Sequence, residues 1–108
     1  MASSPLQHFE LQILLAMLRE EAEVYSVPLI LAIEKRSGRR VAPAAVFIAL
    51  SRLEKKGLVV SRLDEPEGGR VRRYFRITRQ GIAAVKDQQK EHARLWRGVG
   101  RVLRARKT

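Results

Sequence analysis

The sequence predicts a mainly α-helical fold carrying a two-stranded β-wing, in the order helix, helix, helix, hairpin, helix. Three observations predict it. Apolar residues recur at helical spacing in three successive segments between Gln7 and Leu53. Two short alternating runs flank the turn-forming stretch Asp64 to Gly69. A final segment from Ile82 to Leu103 repeats a mainly apolar seam at steps of three and four, with Gln89 and His92 as its polar members. Without internal repeats or a linker, 108 residues read as one compact unit.

Each element has its own signal. Ser4 and Pro5 suit a helix start, with Ser as cap and Pro in the first turn. From Gln7 to Leu18 apolar side chains nearly encircle the axis. Phe9, Ile13 and Met17 form one stripe, and Leu11, Leu14, Leu15 and Leu18 another. A helix apolar on most sides must be buried on most sides, so a partner subunit is expected over this helix, Phe9 included. The acidic run Glu20 to Glu23 ends it. Ser26 is expected to cap a second helix with Pro28 in its first turn, running to Ser37, where Gly38 suits a left-handed stop. Arg39, Arg40, Val41 and Ala42 form a connector. Pro43 opens a third helix that closes near Gly57, with Lys55 and Lys56 at its negative end. Its inward stripe is Val46, Leu50 and Leu53, with Phe47 alongside. Leu58 to Leu63 reads as a strand and Arg70 to Ile77 as its return, and Thr78 caps a long helix from about Gln80.

Charge is the strongest functional signal. Lys and Arg total 22 against 11 acids, a net of +11. Residues 1–34 hold one base, Arg19, and five acids, a net of −4, while residues 35–108 hold 21 bases and six acids, a net of +15. Such a split implies a polyanion facing the later part of the chain. Nucleic acid fits a small basic domain best; a surface charged for solubility and an anionic membrane are the alternatives. With no Cys there is no disulfide framework and no thiolate. His8 and His92 are too few for a metal site, and no nucleophile, phosphate-loop or metalloprotease motif occurs, so neither an enzyme nor a cofactor is expected. No apolar run approaches the roughly 18 residues of a spanning helix, and no signal peptide is read at the N-terminus. The expected location is the cytoplasm, without membrane contact.

A helix pair joined by a tight basic connector and followed by a ribbon is the pattern of a winged helix-turn-helix. Its third helix fits the DNA major groove, while the ribbon meets phosphates or the minor groove. The return strand carries four arginines within seven residues, Arg70 to Arg76. Phe75 and Ile77 can seal the core while Arg70, Arg72 and Arg73, beside Gly68 and Gly69 at the tip, reach DNA. The alternative is a solvated hairpin whose arginines pair with Asp64, Glu65 and Glu67. Arg39 and Arg40 add phosphate contacts. The third helix turns Ala44, Ala45, Ile48, Ser51, Arg52 and Lys55 outward. Arg52 is the one side chain there able to read guanine bidentately, and Ala44, Ala45 and Ile48 suit thymine methyls. Much of the specificity would then rest on DNA shape.

The final helix places Ile82, Val85, Gln89, His92, Trp96, Val99 and Leu103 on a heptad seam for pairing with a second copy. A helix folded back on its own domain is the alternative. Gly98 and Gly100 weaken its end, so order is expected to stop near Arg97. Arg101, Arg104, Arg106 and Lys107 then form a basic tail.

The segment AVFIALSRLEKKGLVVSRLDEPEGGRVRRYFRITRQG resembles the PadR-type transcriptional regulators. The matching positions are Val46, Phe47, Leu50, Arg52, Leu53, Glu54, Gly57, Leu58 and Val59 in the helix and first strand. In the wing and beyond they are Gly68, Gly69, Arg70, Tyr74, Phe75, Arg76, Thr78 and Gly81. The likeness extends over about residues 8–97. It implies a homodimeric DNA-binding regulator, usually a repressor, and the short subtype with one C-terminal dimerisation helix. Residues 1–78 would bind a pseudo-palindromic operator and residues 79–108 would pair the subunits. Some similar regulators bind flat aromatic compounds at the dimer interface. Trp96 could stack such an effector, or simply pack. Phe47 stands where the family usually has Tyr, and Ala42 to Ala45 lack the usual Ser or Thr cap, a loss of about 1 kcal/mol. Ile30, Leu31 and Ala32 are more apolar than is common in the family, from core packing or as a contact patch. Two rival functions stay open: an RNA-binding basic module, and a protein-interaction module with vestigial DNA binding.

Overall fold

The computed structural model describes residues 6–20 and 23–106. Helices α1 (His8–Glu20), α2 (Ser26–Ser37) and α3 (Pro43–Lys55) are followed by strands β1 (Val59–Asp64) and β2 (Arg72–Ile77). Helices α4 (Arg79–Trp96) and α5 (Val99–Ala105) complete the chain. The expected mainly helical fold with one wing is what the chain forms. The Ser4–Pro5 cap lies outside the described residues.

The first three helices close around one core. Ile13, Leu14 and Met17 enter it from α1, Leu29 and Ile33 from α2, and Val46, Leu50 and Leu53 from α3. Complete burial of such a side chain contributes about 2 kcal/mol. Leu58, Val59 and Phe75 close the core beneath the wing. Phe47 does not pack alongside the α3 stripe; it is 48% exposed. The encircling apolar pattern of α1 resolves into this core face and an outer flank where Leu15 is exposed.

One carboxylate enters this interior. Glu10 is 1% exposed and accepts from the Gln7 backbone N–H at 2.9 Å, the reciprocal half of a capping box at the start of α1. Lys56 Nζ meets its two oxygens at 3.0 and 3.2 Å. Lys56 was expected to serve the negative end of α3; its backbone is that helix's C-cap, while its ammonium reaches across to α1.

Helix ends follow backbone chemistry. Ser26 is the first residue of α2 rather than its cap; Tyr25 holds the cap position and makes no side-chain cap bond. Gly38 ends α2 at φ 71°. Ala42 precedes Pro43 at the start of α3, again without a side-chain cap, as its methyl dictates. Glu34 Oε2 accepts from Val41 N–H at 2.8 Å and pins the connector between α2 and α3.

The two strands pair antiparallel from Val59↔Ile77 to Asp64↔Arg72. Each begins later than the alternation predicts, β1 at Val59 rather than Leu58 and β2 at Arg72 rather than Arg70. The tip turns through Gly68 at φ 71°, with Gly69 N–H donating to the Pro66 carbonyl at 3.0 Å. Val24 adds an isolated bridge on the other side of β2, exchanging both backbone bonds with Phe75. On the outer side of β1, Glu54 Oε2 accepts from both the N–H and the hydroxyl of Ser61, at 3.1 and 2.7 Å.

Thr78 caps α4 as expected, accepting from Gly81 N–H at 3.0 Å and donating to the Gly57 carbonyl at 2.7 Å. Gly81 is buried, and a Cβ there would collide with the Leu58 carbonyl oxygen and the Ile77 side chain. The single final helix predicted through the heptad seam is instead two. The chain breaks at Arg97 and Gly98, where φ is 81°, and order continues past Arg97 into α5. The extents are 62 × 35 × 22 Å, with a radius of gyration of 16.7 Å. A compact chain of this length has a radius near ~13 Å, so the molecule is elongated.

Candidate nucleic-acid interface

The outward face of α3 exposes Ala44, Ala45, Ile48, Ser51, Arg52 and Lys55. Ile48 is 55% exposed. Arg52 sits on the shoulder nearest α1, where its Nη1 lies 3.4 Å from Gln7 Oε1. The middle of the face therefore presents a methyl, an isoleucine, a hydroxyl and a lysine. Arg39 and Arg40 are exposed on the connector that precedes it. The Ser37 hydroxyl accepts from Arg39 N–H at 3.2 Å and bends this turn. Phe9, assigned by sequence to subunit pairing, lines a groove of about 550 Å³ with His8, Arg39, Arg40, Val41 and Ala45.

A second groove, of about 540 Å³, runs between α3 and the wing. Phe47, Val27 and Leu63 supply its apolar wall, Tyr25 and Ser26 its end, and Arg70, Val71, Arg72 and Arg73 its wing side. Among the described residues neither Arg70, Arg72 nor Arg73 lies within ion-pair distance of a carboxylate. The pairing of these arginines with Asp64, Glu65 and Glu67 is therefore not formed, and Asp64 faces Arg62 instead at 3.8 Å. Arg73 Nη1 donates to the Ser61 hydroxyl at 3.1 Å. The groove is thus lined by unneutralised cations over an apolar floor, which suits a phosphate chain whose sugars touch carbon.

The wing is anchored by a row of side chains. Arg62 donates to both oxygens of Glu23, each at 2.7 Å. Its guanidinium lies 5.1 Å from the centre of the Tyr74 ring. Tyr74 meets Tyr25 edge-on at 5.6 Å. Arg72 closes the row, 4.5 Å over the Tyr25 ring. The hydrogen bond from Arg62 holds the Glu23 carboxyl below its ordinary value of 4.5, and the same bond raises the Arg62 guanidinium. Sequence reading missed Glu23 and Tyr25. Its one available clue was an acid and an aromatic residue standing just ahead of a helix.

The seam of α4 divides in two. Ala84 and Val85 pack on the chain's own core, and Ile82 is half-buried. Gln89, His92 and Trp96 are exposed, Trp96 at 51%. The His92 and Trp96 rings lie 5.8 Å apart. A groove of about 360 Å³ between α1 and α4 is lined by Leu11, Leu15, Val85, Gln88, Gln89 and His92. Val99 and Leu103 fall on α5, beyond the break. Leu31 is 60% exposed and Ile30 packs against the core, so the apolar α2 segment divides between packing and surface. Among the described residues no group of His, Asp and Glu could hold a metal ion, and no helix is long and apolar enough to cross a membrane.

Known proteins share this pattern. Residues 14–87 match the transcriptional regulator PadR-like family. The transcriptional regulator Rv3488 of Mycobacterium tuberculosis is 39% identical over 64 residues, a stretch spanning 59% of each chain. A PadR-like transcription factor from Bacteroides fragilis superposes with a TM-score of 0.75 at 21% identity, over 87% of this chain and 88% of that one. The PadR-like regulator BC4206 of Bacillus cereus gives 0.73 at 22% identity, over 91% and 93%. With the family's profile spanning the core helices, the wing and the start of α4, the chain belongs to the PadR-like family of transcriptional regulators.

Proposed function

We propose that the chain is a homodimeric repressor that binds a pseudo-palindromic duplex operator in the cytoplasm. Residues 1–78 hold the DNA and residues 79–108 pair the subunits. Helix α3 enters the major groove with Ala44, Ile48, Ser51 and Lys55 foremost. Arg39, Arg40, Arg70, Arg72 and Arg73 meet phosphates. The observation that carries this reading is the groove between α3 and the wing, whose arginines have no acidic partner among the described residues. Charge compensation must come from outside, and a polyanion provides it while releasing its counterions.

Pairing is supported by shape. A helix of 18 residues that packs only its first turns on its own domain leaves Gln89, His92 and Trp96 for a second copy. Two-fold symmetry would set the recognition helices about 34 Å apart, one turn of duplex. A flat aromatic effector stacking on Trp96 would sit at this seam.

Selection of bound fragments from random duplex DNA tests the reading, and a recovered inverted repeat is the expected result. Replacing Arg70 and Arg72 with Ala should then weaken binding to every sequence. It should also reduce the slope of log affinity against log salt by about one for each phosphate that loses its arginine. An unchanged slope counts against the wing as a DNA-binding element. Structured RNA competing as well as duplex DNA would favour the RNA-binding alternative.

A further inference from the structure

We propose that Tyr25, in the connector ahead of α2, is a positioning residue that holds the wing's Arg72 ready for a DNA phosphate. The inference rests on the DNA-binding reading above and assigns a role to a residue that carries no charge of its own. Arg72 is the last residue of β2 on the tip side, paired in register with Asp64. At that exposed position a long side chain would ordinarily sample many rotamers. Here its guanidinium lies 4.5 Å over the Tyr25 ring. Stacking occupies the face of a guanidinium and leaves its N–H donors pointing outward at the edge, where a phosphate can take two of them. Ordering the side chain beforehand removes part of the entropy lost on binding.

The ring is itself held. Tyr25 abuts Tyr74 at 5.6 Å and 68°, and Tyr74 lies against Arg62, which Glu23 binds with two hydrogen bonds of 2.7 Å. Both guanidiniums in this row lie over a tyrosine ring, yet their roles differ. Arg62 is neutralised by Glu23. Arg72 has no carboxylate partner among the described residues and lines the groove between α3 and the wing beside Tyr25 and Ser26. One end of the row is anchored and the other presents a charge.

The test varies the ring's electrostatics while preserving its shape. Tyr25→Phe, which keeps an electron-rich ring under Arg72, sets the reference affinity for a mixed-sequence duplex in dilute salt. Phenylalanines bearing more ring fluorines at position 25 should lose affinity step by step, to about two- to fivefold, the size of an exposed cation–π contact. In an Arg72→Ala background the same fluorine series should have no effect. The Arg72 side-chain protons should show upfield ring-current shifts in the DNA-free protein, absent in Tyr25→Leu. A fluorine series that leaves affinity flat while Arg72→Ala weakens binding would overturn the positioning role alone. Arg72→Ala binding as tightly as the unaltered chain would overturn the wing's part in the proposed function, and this role with it.

Discussion

At the scale of single residues, the strongest demands fall where a side chain crosses between elements. Glu10 is a carboxylate with almost no water around it, and Lys56 supplies its charge compensation. Removing one partner of a buried pair leaves an uncompensated charge, which costs far more than the pair itself contributes. Lys56 is about a quarter exposed, so solvent screens part of that cost. Lys56→Ala should therefore destabilise the fold by about 2 kcal/mol, read as a lower urea midpoint. Gly81 makes a different demand. A methyl there would push against the Leu58 carbonyl, which is backbone and yields little. Gly81→Ala should cost about 2–3 kcal/mol, visible as an earlier thermal transition. Neither demand could be read from spacing. Glu10 stands in an apolar helix and looks like a surface acid, and Gly81 looks like an ordinary helix-interior glycine. Each depends on a neighbour brought close by tertiary folding. Arg52 shows the same limit: its place on the outward side of α3 was legible, but its lean toward Gln7 was not.

At the scale of elements, most of the architecture was legible, because each segment's apolar period agrees with its end signals. Pro43 and Gly38 mark ends through their backbone and Thr78 through its hydroxyl, all by local chemistry, and all three stand where expected. Ser26 failed as a cap because the chain enters α2 one residue earlier, with Tyr25 turned toward the wing. The heptad seam overran the helix, while the weakness expected at Gly98 does end α4 near Arg97. Its period runs unbroken through Val99 and Leu103, but Gly98 adopts a left-handed conformation and divides the helix. The wing's attachment carries a testable pH dependence. Because Glu23 titrates below its ordinary 4.5 when folded, its contribution is complete above that value and is lost as pH falls through the lowered one. The stability difference between the unaltered chain and Glu23→Gln, measured by urea melts, should be largest near neutrality. It should narrow steadily once the pH drops under 4.5.

At the scale of the whole molecule, the charge split and the elongated form belong together. The net −4 of residues 1–34 and +15 of residues 35–108 place the cationic excess on the wing, the later helices and the connector before α3. At the end of α4, Trp96 stands half exposed. Trp96→Asp should yield monomers in sedimentation while leaving the helical signal in circular dichroism nearly unchanged; a persisting dimer would refute the seam. The hairpin has one more consequence. The outer side of β1 is an open row of backbone donors and acceptors, a ready template for strand-to-strand aggregation. The Glu54 carboxylate already occupies the Ser61 N–H on that side, and any invading strand would first have to evict it. An edge occupied in this way is a poorer template for a second strand, so Glu54→Ala should turn turbid sooner than the unaltered chain at high concentration.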